Sequence, residues 1–97
     1  MRPVLRKIKV GRKQITALVM PLQKKTLIVI RGRRGYVMCG YLNLKVAEKF
    51  GDAAVKITGV ANINDALCAS VHSCTFAAGK LGIKKGQPVK EVLKILA

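Results

Sequence analysis

A chain of 97 residues has room for one domain with a modest core and too little for two. About half of it is hydrophobic, with no Trp and only four Phe or Tyr, so the core must be aliphatic. This apolar content excludes a disordered polar chain despite a net charge of +15, and no run approaches the ~18 apolar residues of a membrane helix.

Residues 4–10 alternate, with Val4, Ile8 and Val10 on one side and Leu5, Lys7 and Lys9 on the other, which predicts an amphipathic strand marred by Arg6. Gly11-Arg12 turns the chain. The next strand has two largely apolar faces, Ile15, Ala17 and Val19 against Thr16, Leu18 and Met20, so it belongs deeper in the sheet. Pro21 cannot donate to a ladder and ends it. The β-branched run 26–30, five loop residues and the strand 36–39 predict a hairpin whose tip, residues 31–35, reads R-G-R-R-G. Four successive strands with short connections favour an antiparallel meander.

Asn43 is a good N-cap for a helix to Phe50, with Gly51 placed to stop it. Residues 53–58 form a fifth strand, and because it follows a helix it is expected to lie parallel to its neighbour. Asn62 caps a helix over 63–69, with Asp65 favoured by the helix dipole. Ser70 or Ser73 is expected to cap a further helix through Leu81, stopped by Gly82. Pro88 opens the last helix, whose Val89, Val92, Leu93 and Leu96 are spaced i, i+3, i+4, i+7. The expected fold is a single α+β domain over 1–97: a four-stranded antiparallel meander, a fifth strand, and three to four short helices mainly in the C-terminal half, gathered on one face. Open strand edges and apolar surface predict a homo-oligomer.

The basic excess is uneven. Residues 1–34 carry eleven Lys or Arg and no acid, whereas residues 35–97 carry eight and four. A surplus of this kind repels itself unless a polyanion or a subunit interface neutralises it, and nucleic acid is the expected partner. Arg31, Arg33 and Arg34 can grip phosphates, and Lys24, Lys25, Arg12 and Lys13 are expected to extend the patch. With only Tyr36 and Tyr41 nearby, base stacking is minor and contacts go to the backbone. Arg6, Lys7, Lys9, Arg12 and Lys13 leave no apolar segment behind Arg2, so a cytoplasmic location without membrane attachment is expected. Three cysteines without a C-x-x-C fit a reducing compartment.

Residues 35–40, G-Y-V-M-C-G, followed by Asn43, resemble the G-Y-x-M-C-G segment of the YunC-like family of small bacterial and archaeal proteins of unknown function. The run S-C-T-F-A-A at 73–78, then L-G-I-K at 81–84 and E-V-L at 91–93, extends the resemblance over most of the chain. The resemblance implies a small mixed α/β fold and no established activity. Asn43 stands where the family often has an acid, and the arginine-rich tip is this chain's own.

Cys39 lies between a strand and a helix N-terminus, where a thiolate is favoured, and Gly40 admits close approach of a ligand. A thiol-dependent enzyme or small-ligand binder centred on Cys39, with Gly40 and Asn43 in the site, is therefore one alternative to the polyanion-binding module, and a structural subunit of a larger assembly is another. Cys68, His72 and Cys74 lack the tight spacing of a zinc site, so neither metal nor cofactor is called for. Residues 77–89 resemble a helix-turn-helix, but Gly86 and Pro88 fall where the recognition helix should start. No pair of catalytic carboxylates, P-loop or dinucleotide fingerprint is present.

Overall fold

Gly11 adopts φ +63° while Arg12 keeps a negative φ, so the first hairpin turns on a type II′ pair whose twist suits the strands beside it. The computed structural model describes residues 4–40 and 42–97, leaving Arg2 and Tyr41 outside the described residues. The hairpin joins β1 (Val4–Val10) to β2 (Lys13–Pro21), and β3 (Thr26–Arg31) and β4 (Tyr36–Met38) complete the expected antiparallel meander. Helix α1 (Leu44–Phe50) then carries the chain to β5 (Ala54–Lys56), which lies parallel to β4 as its preceding helix predicts. Helix α2 (Ile63–Cys68), β6 (Ser73–Cys74), α3 (Phe76–Lys80) and α4 (Val89–Leu96) follow, and the six strands pair in chain order.

Alternation assigns the two faces. Ile15, Ala17, Ile28, Ile30, Val37, Cys39, Val55 and Ile57 form one buried layer, covered by Ile63 and Ala66 of α2, Ala78 of α3 and the apolar stripe of α4. Met38 and Ala54 point the other way and pack with Ala47 of α1. The helices therefore lie on both faces, not one. The reason is local: Tyr36 and Met38 make the second face of β4 as apolar as the first, so it too needs a cover. Farther out, that second face carries Leu5, Leu18, Met20 and Val29, which are partly or fully exposed. The outer strand β1 presents Arg6, Lys7 and Lys9, whose like charges oppose pairing with another edge.

The expected helix cap at Ser70 or Ser73 is also corrected. Ser73 and Cys74 extend the sheet beside β5, and Thr75 caps α3 instead. Thr75 is the one buried polar side chain among the described residues. Its hydroxyl donates to Asp52 O at 2.7 Å and accepts from Ala54 N at 3.0 Å and Ala78 N at 3.2 Å, so one atom ties the α1–β5 connection, the strand and the helix together.

An isolated helix as short as α4 is unstable in water; its stability comes from packing. Val89, Val92, Leu93 and Leu96 are buried in it, each worth about 1.5–3 kcal/mol by area removed from water. Its last turn rests on the 31–35 loop. A Cβ at Gly32 would overlap the Leu96 carbonyl, and one at Gly35 would overlap the Ala53 carbonyl and the Leu96 side chain. Both glycines are needed for close approach, whereas a Cβ at Gly40 meets nothing within 4 Å. Gly35→Ala should therefore lower stability by about 1–3 kcal/mol in urea unfolding, and Gly40→Ala should stay within about 0.5 kcal/mol of the parent. Equal midpoints for the two variants would contradict this packing.

Candidate functional site

The seven candidate cations fall at two ends of the sheet. Thr16 pairs with Arg31 across β2 and β3, which brings the β1–β2 turn beside the arginine loop. Gln14, Thr16, Arg31, Gly32 and Arg33 line a shallow recess of about 420 Å³ there. Lys24 and Lys25 occupy the β2–β3 turn, at the other end of β3, about 17 Å away by strand rise. The seven cations expected to form one patch thus divide into Arg12, Lys13, Arg31, Arg33 and Arg34 at the tip, and Lys24 with Lys25 opposite.

The C-terminal turn of α4 organises the tip. Arg34 N donates to Leu96 O at 2.8 Å, the Arg34 guanidinium to Ile95 O at 3.4 Å, and Lys13 Nζ to Ala97 O at 3.4 Å. Cations at this end are favoured by the helix dipole as well as by the orphan carbonyls they satisfy. Arg34 and Lys13 hold the loop ends, which leaves the exposed Arg31 and Arg33 to face solvent. Beside them Tyr36 donates to Asp52 Oδ2 at 2.9 Å, and burial together with that carboxylate raises its pKa.

Cys39 continues the β3–β4 ladder by its own N–H, which donates to Ile28 O at 3.1 Å. The return bond is unusual, because Ile28 N donates to Cys39 Sγ at 3.4 Å. The Cys39 carbonyl is thereby released to accept from Leu42 N, which turns the chain out of the strand. Cys39 is 3% exposed and packed among the aliphatic core, and its sulfur takes the place of a ladder acceptor at the end of β4. His72 is separated from it by β5: Cys39, Ile57 and His72 fall in one row across the sheet, some 10 Å from end to end by strand spacing. Asn43 spends its side-chain oxygen on Lys45 N at 2.8 Å as the cap of α1. Gly40 is exposed at the mouth of a cleft shared with Lys24, Lys25 and Thr58.

Among the described residues, no three of His, Cys, Asp and Glu converge to hold a metal ion. Cys68 is exposed, and the Cys74 thiol is pushed up by burial and by Glu48. The helix-turn-helix resemblance dissolves at Gly82 and Gly86, both at positive φ. The segment between α3 and α4 is instead pinned by Gly86 N to Val71 O and Val71 N to Gln87 O. Sequence reasoning missed the role of α4 in holding the arginine loop. Only the two glycines spaced around Arg33 and Arg34 hinted at a close approach.

Residues 38–96 match DUF1805, a domain of unknown function. The chain is 37% identical over 83 residues to the uncharacterized protein YunC of Bacillus subtilis (strain 168), covering 80% of this chain and 81% of that one. It is also similar to the crystal structure of a protein of unknown function from Thermoplasma acidophilum, with a TM-score of 0.94 and 34% identity over 99% of this chain and 94% of the other. The domain match contains Cys39, Gly40 and Asn43, whereas all seven candidate polyanion-binding cations precede it.

Thiol chemistry should follow burial. An aromatic disulfide reagent is expected to modify Cys68 promptly and Cys39 only on unfolding, and Cys39→Ala should cost about 1–3 kcal/mol by orphaning the Ile28 N–H. Rapid, pH-dependent modification of native Cys39 would instead mark it as a nucleophile.

Proposed function

The chain belongs to the YunC-like DUF1805 family, whose function is unknown, and on that premise we propose that it is a small non-enzymatic module that binds nucleic acid through the basic tip of its sheet. The observation that carries this reading is the absence of internal charge compensation. All four acids lie at or beyond Glu48, and the single ion pair among the described residues joins Lys94 to Glu91 on α4. Asp52 accepts from Tyr36, Glu48 accepts from Phe76 N, and Asp65 accepts from Ala61 N. Lys7, Lys9, Arg12, Arg31 and Arg33 are exposed with no carboxylate partner among the described residues.

The tip suits phosphate better than base. Arg31 and Arg33 present forked donors, and Gln14 and Thr16 add neutral ones in the same recess. Tyr36 is tied to Asp52 and offers little stacking surface, so binding is to the backbone and only weakly sequence-specific. The thiol-enzyme alternative has less support, because Cys39 is buried and its sulfur serves the strand end.

Affinity for a short mixed-sequence DNA duplex, read by fluorescence anisotropy, should fall with salt at a log–log slope of about −0.9 per phosphate neutralised. Arg31→Gln with Arg33→Gln should reduce that slope by about 2, while Lys24→Gln with Lys25→Gln leaves it unchanged. No retention at low salt, or equal effects from the two double variants, would overturn the proposal.

A further inference from the structure

A second cleft lies at the end of the sheet opposite the basic tip. It measures about 600 Å³ and is walled by Lys24, Lys25, Thr26, Cys39 and Gly40 on one side and by residues 58–61 on the other. Its position follows from topology. Strands β4 and β5 form the only parallel pair among the described residues, and the cleft sits at their carboxyl ends. The chain leaving β4 turns to α1 on one face, and the chain leaving β5 turns to α2 on the other. Two connections that diverge to opposite faces from neighbouring parallel strands open a crevice between them, the place where open α/β sheets bind ligands.

The chemistry of the walls selects a charge type. Lys24 and Lys25 are the only charged side chains in the lining among the described residues, and no carboxylate among those residues lines it. The backbone N–H groups of Gly40, Thr58, Gly59 and Val60 have no acceptor among the described residues, and Thr26 and Thr58 add hydroxyls. Gly59 takes φ +71°, so the second wall is bare backbone where it turns. Gly40 has neither a positive φ nor a packing neighbour that demands glycine, and its missing side chain widens the mouth. Unpaired N–H groups beside lysines are the elements of an anion site. The volume falls in the range of small-molecule pockets, roughly 300–1,000 Å³.

We infer that this cleft binds a phosphorylated small molecule. Its phosphate sits between the Lys24–Lys25 turn and the N–H groups of Gly40, Thr58 and Gly59, and its uncharged part lies against Val60. The site is separate from the nucleic-acid tip and stands or falls without it. Lys24 and Lys25 belong to this site and not to the polyanion surface, which accounts for two cations that the tip leaves out of reach.

Inorganic phosphate is the simplest probe. At fixed ionic strength with chloride as counter-anion, it should give saturable amide shifts at Gly40, Thr58 and Gly59 in a two-dimensional NMR titration. Lys24→Gln with Lys25→Gln should weaken the fitted affinity at least about tenfold, the scale of losing charge-assisted hydrogen bonds. Arg31→Gln with Arg33→Gln should leave it unchanged. Gly40→Val supplies a steric test that the open surroundings of Gly40 let the fold tolerate; it should abolish the shifts at Thr58 and Gly59 while the unfolding midpoint holds. Non-saturating shifts spread over all the basic residues, or saturable shifts that survive both the lysine and the Gly40 changes, would overturn the assignment.

Discussion

The last turn of α4 is the contact on which the basic end of this sheet depends. Its backbone oxygens at Ile95, Leu96 and Ala97 receive the Arg34 side chain, the Arg34 N–H and the Lys13 ammonium. Gly32 and Gly35 let the loop come close enough for that to happen. A helix C-terminus carries partial negative charge and unpaired acceptors, so it can hold two basic loops together where neither meets an acidic side chain. The hydrophobic stripe of α4 anchors the helix, and the helix then fixes where Arg31 and Arg33 stand.

The second organising feature is the parallel pairing of β4 and β5. It requires a crossover, and α1 supplies it on the face lined by Met38 and Ala54. The crossover gives the sheet two different ends. At one, antiparallel turns and the α4 terminus gather arginines. At the other, the ends of β4 and β5 separate around Gly40 and Gly59, with two lysines leaning in from the β2–β3 turn. Charge that reads as one continuous excess in sequence is therefore divided between two surfaces of different shape.

The sequence makes much of this legible where local physics decides. The meander follows from alternation, α1 from Asn43 and Gly51, α2 from Asn62 and Asp65, and α4 from its heptad-like stripe. The strand at Ser73 and Cys74 was not legible, because two residues show no period and their pairing with β5 is set by distant contacts. Thr75 likewise looks like any threonine until Asp52, Ala54 and Ala78 converge on it. The placement of α1 on the second face could have been read from Tyr36 and Met38, an apolar pair on the side of β4 opposite Val37. The division of the cations could not, since it depends on which strand ends meet which helix.

The separation of the two ends is most directly tested by lysine footprinting, in which an acetylating reagent is applied with and without a mixed-sequence DNA duplex and each lysine is read by mass spectrometry. Protection of Lys7, Lys9 and Lys13, with Lys24 and Lys25 modified at the rate of the free protein, is the predicted pattern. Uniform protection of all lysines, or protection centred on Lys24 and Lys25, would contradict it.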